Sequence, residues 1–493
     1  MNVPQIRAVA SGTQAGAAEV PLCVDLDGTL VNTDMLVESA LHAAHRRPLA
    51  LLALPFWLMK GRSVLKAKLA EGAKLDVSTL PYNDELLAYL RAEQARGRRL
   101  VLVTASDQRL AGAIANHLGL FDEVIASDGV QNMKGRTKAD ALERRFGVKG
   151  FAYAGNASAD LPVWRKAQSA ILVNTPASVA RSARAVVPIA AEMPRRGSRL
   201  KALVRELRVY QWVKNLLVFV SPIMAQALWD PDAMLTTTVA FLGFCSAASG
   251  VYIINDLMDV EADRHHPRKR KRPFASGALP IGFGVLGPIL LAVGVALPAF
   301  VSEVTALVIA FYAALSVAYS ARLKERPLVD VFILATLYTV RLLAGGIASG
   351  YLVSVWLLNF SGFLFLGLAC LKRCGEMRQL QGEEDPTLKR RGYFVSDAMV
   401  LMAMGVASSF VSALVMSFYV NSEIAQETYA MPTLLWGMVP LILFWQCRLW
   451  LATARGHMLD DPILYSAKDW VSWIAFGLIA VFYVLGSVGM SWL

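Results

Sequence analysis

The stretch Asn255-Asp256-Leu257-Met258-Asp259-Val260-Glu261-Ala262-Asp263 begins where a long apolar run, Thr236 to Ile254, stops. It leads directly into Arg264-His265-His266-Pro267-Arg268-Lys269-Arg270-Lys271-Arg272. Carboxylates three and four residues apart, Asp256, Asp259 and Asp263, fall on one helical face. Three anions converging beside a membrane repel one another unless cations lie between them. Hard carboxylate oxygens with no cysteine nearby suit Mg²⁺, which typically bridges protein to a substrate's phosphates. The competing reading is a solvated, charged loop; the regular spacing favours a site.

Composition bounds what surrounds this motif. A chain of 493 residues with 55% hydrophobic content and a mean hydropathy of +0.45 is a membrane protein with room for a soluble domain. Residues 1 to about 195 mix polar and apolar segments, whereas about 213 to 493 is dominated by long apolar runs. Met1 to Val20 lacks a basic start followed by an apolar core, so the soluble part is expected to remain in the cytoplasm. Five cysteines at 23, 245, 370, 374 and 447 form no paired pattern and suggest reduced thiols. The six histidines show no metal-ligand spacing, and no zinc site is expected.

At about twenty apolar residues per crossing, nine spans are expected near 213–229, 234–254, 281–300, 303–319, 328–349, 353–371, 396–420, 431–449 and 470–491. Alternate loops carry the positive charge: Arg264 to Arg272, then Arg322, Lys324 and Arg326, then Lys372 to Arg391, then Arg448, Arg455 and Lys468. The intervening loops, including Trp229 to Met234 and Val420 to Met431, hold no Lys or Arg. Every basic loop shares a side with the N-terminal domain, so that side is cytoplasmic and Leu493 lies outside. Topology thus accounts for most of the net charge of +11, and no nucleic acid partner is implied.

Two further cytoplasmic segments look chemical. One is Tyr319-Ser320-Ala321-Arg322-Leu323-Lys324-Glu325-Arg326-Pro327-Leu328-Val329-Asp330; the other is Lys372-Arg373-Cys374-Gly375-Glu376 with Arg390, Arg391, Gly392 and Tyr393. Basic side chains at helix ends can simply snorkel to headgroups. Snorkelling does not explain Asp330, nor Arg341 inside a span, since an ionisable group in a span is by default a functional candidate. Acids suited to Mg²⁺ and bases suited to phosphate together describe a diphosphate-cleaving site at the mouth of a helical bundle.

Gln211-Trp212-Val213-Lys214-Asn215, the Asn255-Asp-x-x-Asp-x-x-x-Asp263 motif and nine spans resemble the UbiA superfamily of intramembrane prenyltransferases, over roughly residues 200–493. Aromatic prenyltransferases of that family carry a second acidic pair after span four. This chain instead has Tyr319-x-x-x-Leu323-Lys324 and a single aspartate, Asp330. That departure, with Lys372-Arg373-x-x-Glu376, resembles the branch typified by decaprenyl-phosphate phosphoribosyltransferase. The resemblance implies Mg²⁺ held by Asn255, Asp256, Asp259 and Asp263 on the diphosphate of phosphoribosyl pyrophosphate, with polyprenyl phosphate as acceptor. It casts Asp256, Asp259 and Lys324 as catalytic. Lys214, Asn215, Tyr319, Arg341, Lys372, Arg373 and Tyr393 become substrate ligands.

The N-terminal part has its own signature. Leu22-Cys23-Val24-Asp25-Leu26-Asp27-Gly28-Thr29-Leu30 reads as a strand ending in two acids and a glycine, and ligands bind at strand carboxyl ends in open α/β sheets. In an Asp-x-Asp turn one carboxylate can attack phosphorus while the other protonates the leaving oxygen. Further strands end in Thr104-Ala105-Ser106-Asp107 and Ala154-Gly155-Asn156-Ala157-Ser158-Ala159-Asp160, with Lys134 and Lys138 between them. Four elements in this order resemble the haloacid dehalogenase superfamily over about residues 20–185. The resemblance implies Asp25 as nucleophile, Asp27 as acid/base, Thr104 and Lys138 (or Lys134) on the phosphoryl group, and Mg²⁺ held by Asp25, Asp27 and Asp160. Asn156 departs from the Asp of many members, which weakens metal binding.

The expected architecture is multidomain. A tail, 1–19, precedes a doubly wound α/β phosphatase domain, 20–185, with a helical cap at about 34–94; the apolar run 49–59 is either the cap's core or a lipid-facing surface. A linker with an interfacial helix, 186–210, follows, and an all-α bundle of nine transmembrane helices spans 211–493. Leu200, Leu203, Val204 and Leu207 recur at helical spacing among Arg195, Arg196, Arg199, Lys201, Arg205 and Arg208, which suits docking on anionic lipid. The combined expectation is a multi-pass protein of a bacterial-type inner membrane. It transfers 5-phosphoribose from phosphoribosyl pyrophosphate to polyprenyl phosphate, after which the tethered phosphatase removes the 5-phosphate. The alternatives are an aromatic-acceptor prenyltransferase and a non-enzymatic lipid-binding scaffold.

Overall fold

The computed structural model describes residues 20–488 except 47–52, 60, 73–74, 129–132, 196, 379–386, 389–390 and 459–460. The expected tail, part of the run 49–59, Arg196 and Arg390 lie outside the described residues. The chain divides into two compact units. One takes in the chain up to Glu206 together with Asp256–Val285; the other comprises Leu207–Asn255 and Leu286–Leu493. The acid segment that opens the basic loop therefore belongs to the first unit.

In the first unit six strands, β1 (Leu22–Val24), β2 (Leu100–Asp107), β3 (Glu123–Ser127), β4 (Ala152–Gly155), β5 (Ser169–Val173) and β6 (Ile189–Met193), form one parallel sheet. Their order is β3-β2-β1-β4-β5-β6, the doubly wound arrangement. The strands read as unbroken apolar runs because both faces are covered. Leu22, Val24, Leu100, Leu102, Ala152 and Ala154 enter one core. Their neighbours Cys23, Val101, Val103, Phe151 and Tyr153 enter the other. Strand order reverses between β1 and β4, and ligands bind beyond the strand ends at such a point.

Three helices, α1 (Met35–Arg46), α2 (Leu54–Met59) and α3 (Arg62–Gly72), occupy the connection after β1. Next comes α4 (Asp84–Ala95), started by Asn83, whose side chain accepts from the Glu85 and Leu86 amides. Leu86, Leu87 and Leu90 of α4 join the sheet's core, as does Met35 at the start of α1. The winding continues through α5 (Gln108–Leu118), α6 (Arg136–Phe146), α7 (Leu161–Lys166) and α8 (Ala177–Arg184) to α9 (Arg199–Glu206).

Among the described residues the apolar half has eight helices long and apolar enough to cross a membrane: Pro231–Met258, Ile281–Ala299, Glu303–Ala321, Val329–Ser349, Val355–Arg378, Val395–Val420, Pro432–Ala454 and Trp470–Val488. The expected span at 213–229 is corrected. It is broken into a 3₁₀ helix, Val209–Phe219, a five-residue helix α10 (Val220–Met224) and a 3₁₀ turn, Ala227–Trp229. Lys214 and Asn215 lie buried with polar partners inside it, and it lacks twenty apolar residues in one helix. Elsewhere in this unit small residues bring helices into contact. A Cβ on Gly250 would stand 2.6 Å from the Gly287 carbonyl, so neither helix could approach so closely with a larger side chain there.

Candidate functional site

The β1–β4 switch point gathers the first set of polar side chains. Asp25 follows β1, and its amide donates to Ala154 O at 3.0 Å, tying the turn to β4. Gly28 holds φ +76°, and a Cβ there would lie 2.1 Å from Asn156 Nδ2, so only glycine serves. Lys138, from α6, is buried and donates to Asp25 Oδ1 at 2.6 Å and to the Tyr153 hydroxyl at 2.8 Å. Lys134 is exposed, so of the two lysines Lys138 is the one beside Asp25. Asp27 accepts from Met35 N at 2.8 Å and from Ser106 Oγ at 2.6 Å.

Asp160 accepts from the Tyr153 hydroxyl at 3.1 Å and from the Asn156 and Ala157 amides at 3.0 Å each. Thr104 is fully buried and its hydroxyl accepts from Ser106 N at 3.0 Å. Two residues here were not singled out from sequence. Ser106 holds Asp27, and Lys66, from cap helix α3, donates to Ala105 O at 2.7 Å. The Asp107 at the end of the Thr-x-Ser-Asp run was a signal for the first; nothing in the cap's sequence marked the second.

Electrostatics separate the two acids of the turn. Burial pushes Asp25 up to about 7, against the pull of Lys138, with Asp160 and Asp27 adding to the rise. Burial, and then Asp34, also hold Asp27 above the usual carboxylate range, while Ser106 and the Met35 amide oppose this. Burial works against the charge on Lys138, but Asp25 and Asp160 outweigh it and hold its pKa above the ordinary value. One acid paired with a buried lysine beside a second held by Ser106 and the Met35 amide suits attack on phosphorus by the first and proton transfer by the second.

The acid segment departs from the single helical face expected of it. Helix α11 (Pro231–Met258) ends before Asp259, which takes a non-helical conformation and starts α12 (Val260–His265). Arg272 Nη1 bridges Asp256 Oδ1 at 3.0 Å and Asp263 Oδ2 at 2.6 Å. Among the described residues no three carboxylate, imidazole or thiolate groups are gathered as a metal site. The expected triad is thus corrected to a pair of carboxylates turned to one cation. Hard oxygens arranged about a guanidinium fit a divalent cation in its place. The Arg264 guanidinium, buried, pairs with Glu38 of α1 at 2.6 and 3.2 Å.

In the second unit the remaining candidates fall into separate groups. Asn255 donates to Ser320 Oγ at 2.8 Å. Arg341 donates to Asn215 Oδ1 and to the Tyr312 hydroxyl, both at 2.8 Å. Lys214 donates to Asp461 Oδ2 at 2.7 Å, Lys372 to the same oxygen at 3.3 Å, and the Tyr338 hydroxyl at 3.1 Å. Lys214, Lys372 and Asp461, with Gln211, Glu376 and Lys468, line a cavity of about 430 Å³. Lys324 is half-buried on a short 3₁₀ turn, Leu323–Glu325.

Arg373 and Tyr393, expected on substrate, are turned inward. Arg373 has no exposed surface and pairs with Asp330 at 2.7 Å and with Glu376, and Tyr393 donates to Asp330 Oδ1 at 2.5 Å. Two carboxylates thus meet the charge of this buried arginine. Tyr319 accepts from Arg391 at 2.8 Å. Asp461, the acceptor for both lysines, escaped the sequence reading; the Asp461-Pro462 step, a helix start, was its only local mark.

A doubly wound sheet with a buried acid–lysine pair, together with a bundle of span-length helices, defines a membrane enzyme with a phosphatase-type domain. The chain belongs to the UbiA prenyltransferase family, whose model matches residues 216–456, and a haloacid dehalogenase-like hydrolase model matches residues 22–165. It is 37% identical over 472 residues to the uncharacterized protein y4nM of Sinorhizobium fredii, covering 95% of this chain and 91% of that one. It is 33% identical over 282 residues to the nodulation protein NoeC of Azorhizobium caulinodans, covering 56% of this chain and 92% of that one. Over 180 residues it is 37% identical to the decaprenyl-phosphate phosphoribosyltransferase of Corynebacterium glutamicum, covering 36% of this chain and 54% of that one.

Proposed function

We propose that this enzyme transfers 5-phosphoribose from phosphoribosyl pyrophosphate to a polyprenyl phosphate, releasing pyrophosphate, and that its N-terminal domain then hydrolyses the 5-phosphate. The observation that carries the donor choice is the fate of Asp330. The single aspartate after the fourth expected span is buried beneath Arg373 and Tyr393, so it is not free to act as half of a second pair of metal-binding aspartates. The polar cavity holds lysines instead, as suits a phosphate-bearing substrate. Likeness to the decaprenyl-phosphate enzyme over 180 residues supports the same donor.

In this reading the pair Asp256 and Asp263 would hold Mg²⁺, which would neutralise the diphosphate and ease its departure. Lys214 and Lys372 bind phosphate oxygens, and Lys324 stabilises the charge that leaves. A phosphate oxygen of the lipid forms the new bond to the anomeric carbon as the bond to pyrophosphate breaks. In the N-terminal domain an Asp25 oxygen attacks phosphorus, the bond to the ribose oxygen breaks, and Asp27 gives that oxygen its proton. Water, deprotonated by Asp27, then attacks the aspartyl-phosphate phosphorus, releasing phosphate and restoring Asp25. Asp25, Asp27 and Asp160 would hold the Mg²⁺ of that site. The basic loops and the N-terminal domain face the cytoplasm in this scheme.

The test uses purified full-length protein, Mg²⁺, a polyprenyl phosphate and labelled phosphoribosyl pyrophosphate, with the lipid analysed by mass. The expected product is a ribose lipid without its 5-phosphate. Transfer of a prenyl group from a prenyl diphosphate to an aromatic acid, with no label entering lipid phosphate, would falsify the assignment.

A further inference from the structure

A cavity of about 520 Å³ in the first unit is lined by Asp27, Gly28 and Asn156 from the turns after β1 and β4. That volume is in the range of pockets for whole small molecules and far exceeds what a lone phosphoryl group needs. Arg195 and Arg199 line the same cavity. Arg195 Nη2 donates to Ala278 O at 2.7 Å and to Gly277 O at 3.4 Å. Gly277 in turn packs on the turn after β1: it holds φ +70°, and a Cβ there would lie 2.6 Å from Asn32. The guanidinium is therefore held at the wall by carbonyls, which orient it without neutralising it.

Two like charges share this wall. Burial, and then the neighbouring Arg199 charge, hold Arg195 below its ordinary pKa. Among the described residues neither arginine forms an ion pair. The carboxylates of Asp27, Asp34, Asp84 and Glu85 share the lining, and among the described residues none is paired with either arginine. Asp34 accepts from the Leu36 amide at 2.8 Å, and Asp84 and Glu85 open α4, where acids complement the helix dipole. Neighbouring guanidiniums without a counter-ion, beside a phosphoryl-transfer centre, call for an anion.

We propose that Arg195 and Arg199 form a subsite for a second anionic group, so that the phosphatase domain acts on a sugar phosphomonoester carrying a further phosphate-type anion. The subsite rests on the phosphatase role proposed above and specifies its substrate class. A sugar phosphate joined through a phosphodiester to lipid has this chemistry, and so does a soluble phosphoribosyl diphosphate.

Full-length wild type, Arg199→Ala and Arg195→Ala/Arg199→Ala are compared on three substrates without acceptor lipid: ribose 5-phosphate, phosphoribosyl pyrophosphate, and synthetic polyprenyl-phosphoryl-5-phosphoribose in detergent. Loss of the 5-phosphate is followed by mass. In the variants KM for a doubly anionic substrate is expected to rise about tenfold or more relative to KM for ribose 5-phosphate, the loss typical of charge-assisted hydrogen bonds. Arg199→Ala alters only an exposed helix residue and guards against misfolding in the double variant. If the ratio moves for the lipid substrate, subsite and lipid-phosphatase reading both stand. Movement for the soluble diphosphate alone keeps the subsite and removes the lipid reading. An unchanged ratio on both, or no 5-phosphate release from any substrate by wild type, overturns the subsite.

Discussion

Asp25 shows how much one carboxylate decides. Replacing it with Asn keeps its size but removes the carboxylate that forms an aspartyl-phosphate in the proposed reaction. The variant is expected to build lipid that keeps the 5-phosphate, one phosphoryl group heavier than the wild-type product on a mass spectrum. Identical lipids from both proteins would mean the soluble domain acts elsewhere. The same side chain sets a pH dependence. Without metal the folded protein holds the Asp25 proton up to about 7, well after the unfolded chain has released it. Metal-free stability from this group therefore falls as pH rises towards 7, and Mg²⁺ must displace the proton below that point. The rise in Tm caused by Mg²⁺ should grow between pH 6 and 8, and that growth should be lost in Asp25→Asn. A Mg²⁺ effect independent of pH removes Asp25 from the metal's ligands. At this scale the sequence was informative where residues sit in a motif, as with Asp25 and Lys138. It was silent where a lone side chain acts across the fold, because Asp461 lies 247 positions from Lys214, the lysine it accepts from.

Elements were legible where apolar pattern and length agree. Leu22 to Val24 and Leu100 to Val103 are continuous apolar runs buried on both faces, and such runs leave little besides a parallel strand. The segment 213–229 failed because its hydropathy resembles a span while Lys214 and Asn215 are buried on polar partners, information that lies in other helices. Arg373 misled for a related reason: a basic residue after an apolar run reads as loop, yet the helix continues from Val355 to Arg378 and turns it onto Asp330. The link between α1 and α12 was equally hidden. Glu38 accepts from Thr33 Oγ1 at 2.7 Å and pairs with Arg264, both partners buried, while Asp76 reaches His265 at 3.3 Å. Removing one member of a buried pair leaves the other charge uncompensated, at a cost of about 3–5 kcal/mol. Glu38→Ala should therefore lower the stability of the first unit by that order in denaturant melts of the full chain. A loss below about 1 kcal/mol, the range of exposed pairs, would show that solvent reaches the pair.

The proposed function gives the molecule two chemistries, and the acids assigned to one are built into the compact unit of the other. Asp256–Val285 belongs with the parallel sheet, not with the bundle whose helix α11 delivers it. Two sites sharing a folding unit can still be independent in chemistry, and Asp256 is the place to ask. Its Oδ1 meets Arg272, which also holds Asp263 at 2.6 Å, while Arg264 is fixed separately by Glu38. Asp256→Ala thus removes one carboxylate and leaves the Arg272–Asp263 and Glu38–Arg264 pairs to keep the segment in place. Phosphoribosyl transfer to lipid should fall by about a hundredfold or more, as when a group that stabilises developing charge is deleted. Release of phosphate from ribose 5-phosphate should persist, because Asp25, Asp27 and Lys138 bond one another, β2, β4 and the start of α1. Label entering lipid at the wild-type rate would remove Asp256 from the transferase site. Joint loss of both activities, with an unchanged melting curve, would show instead that the acid segment couples the two reactions.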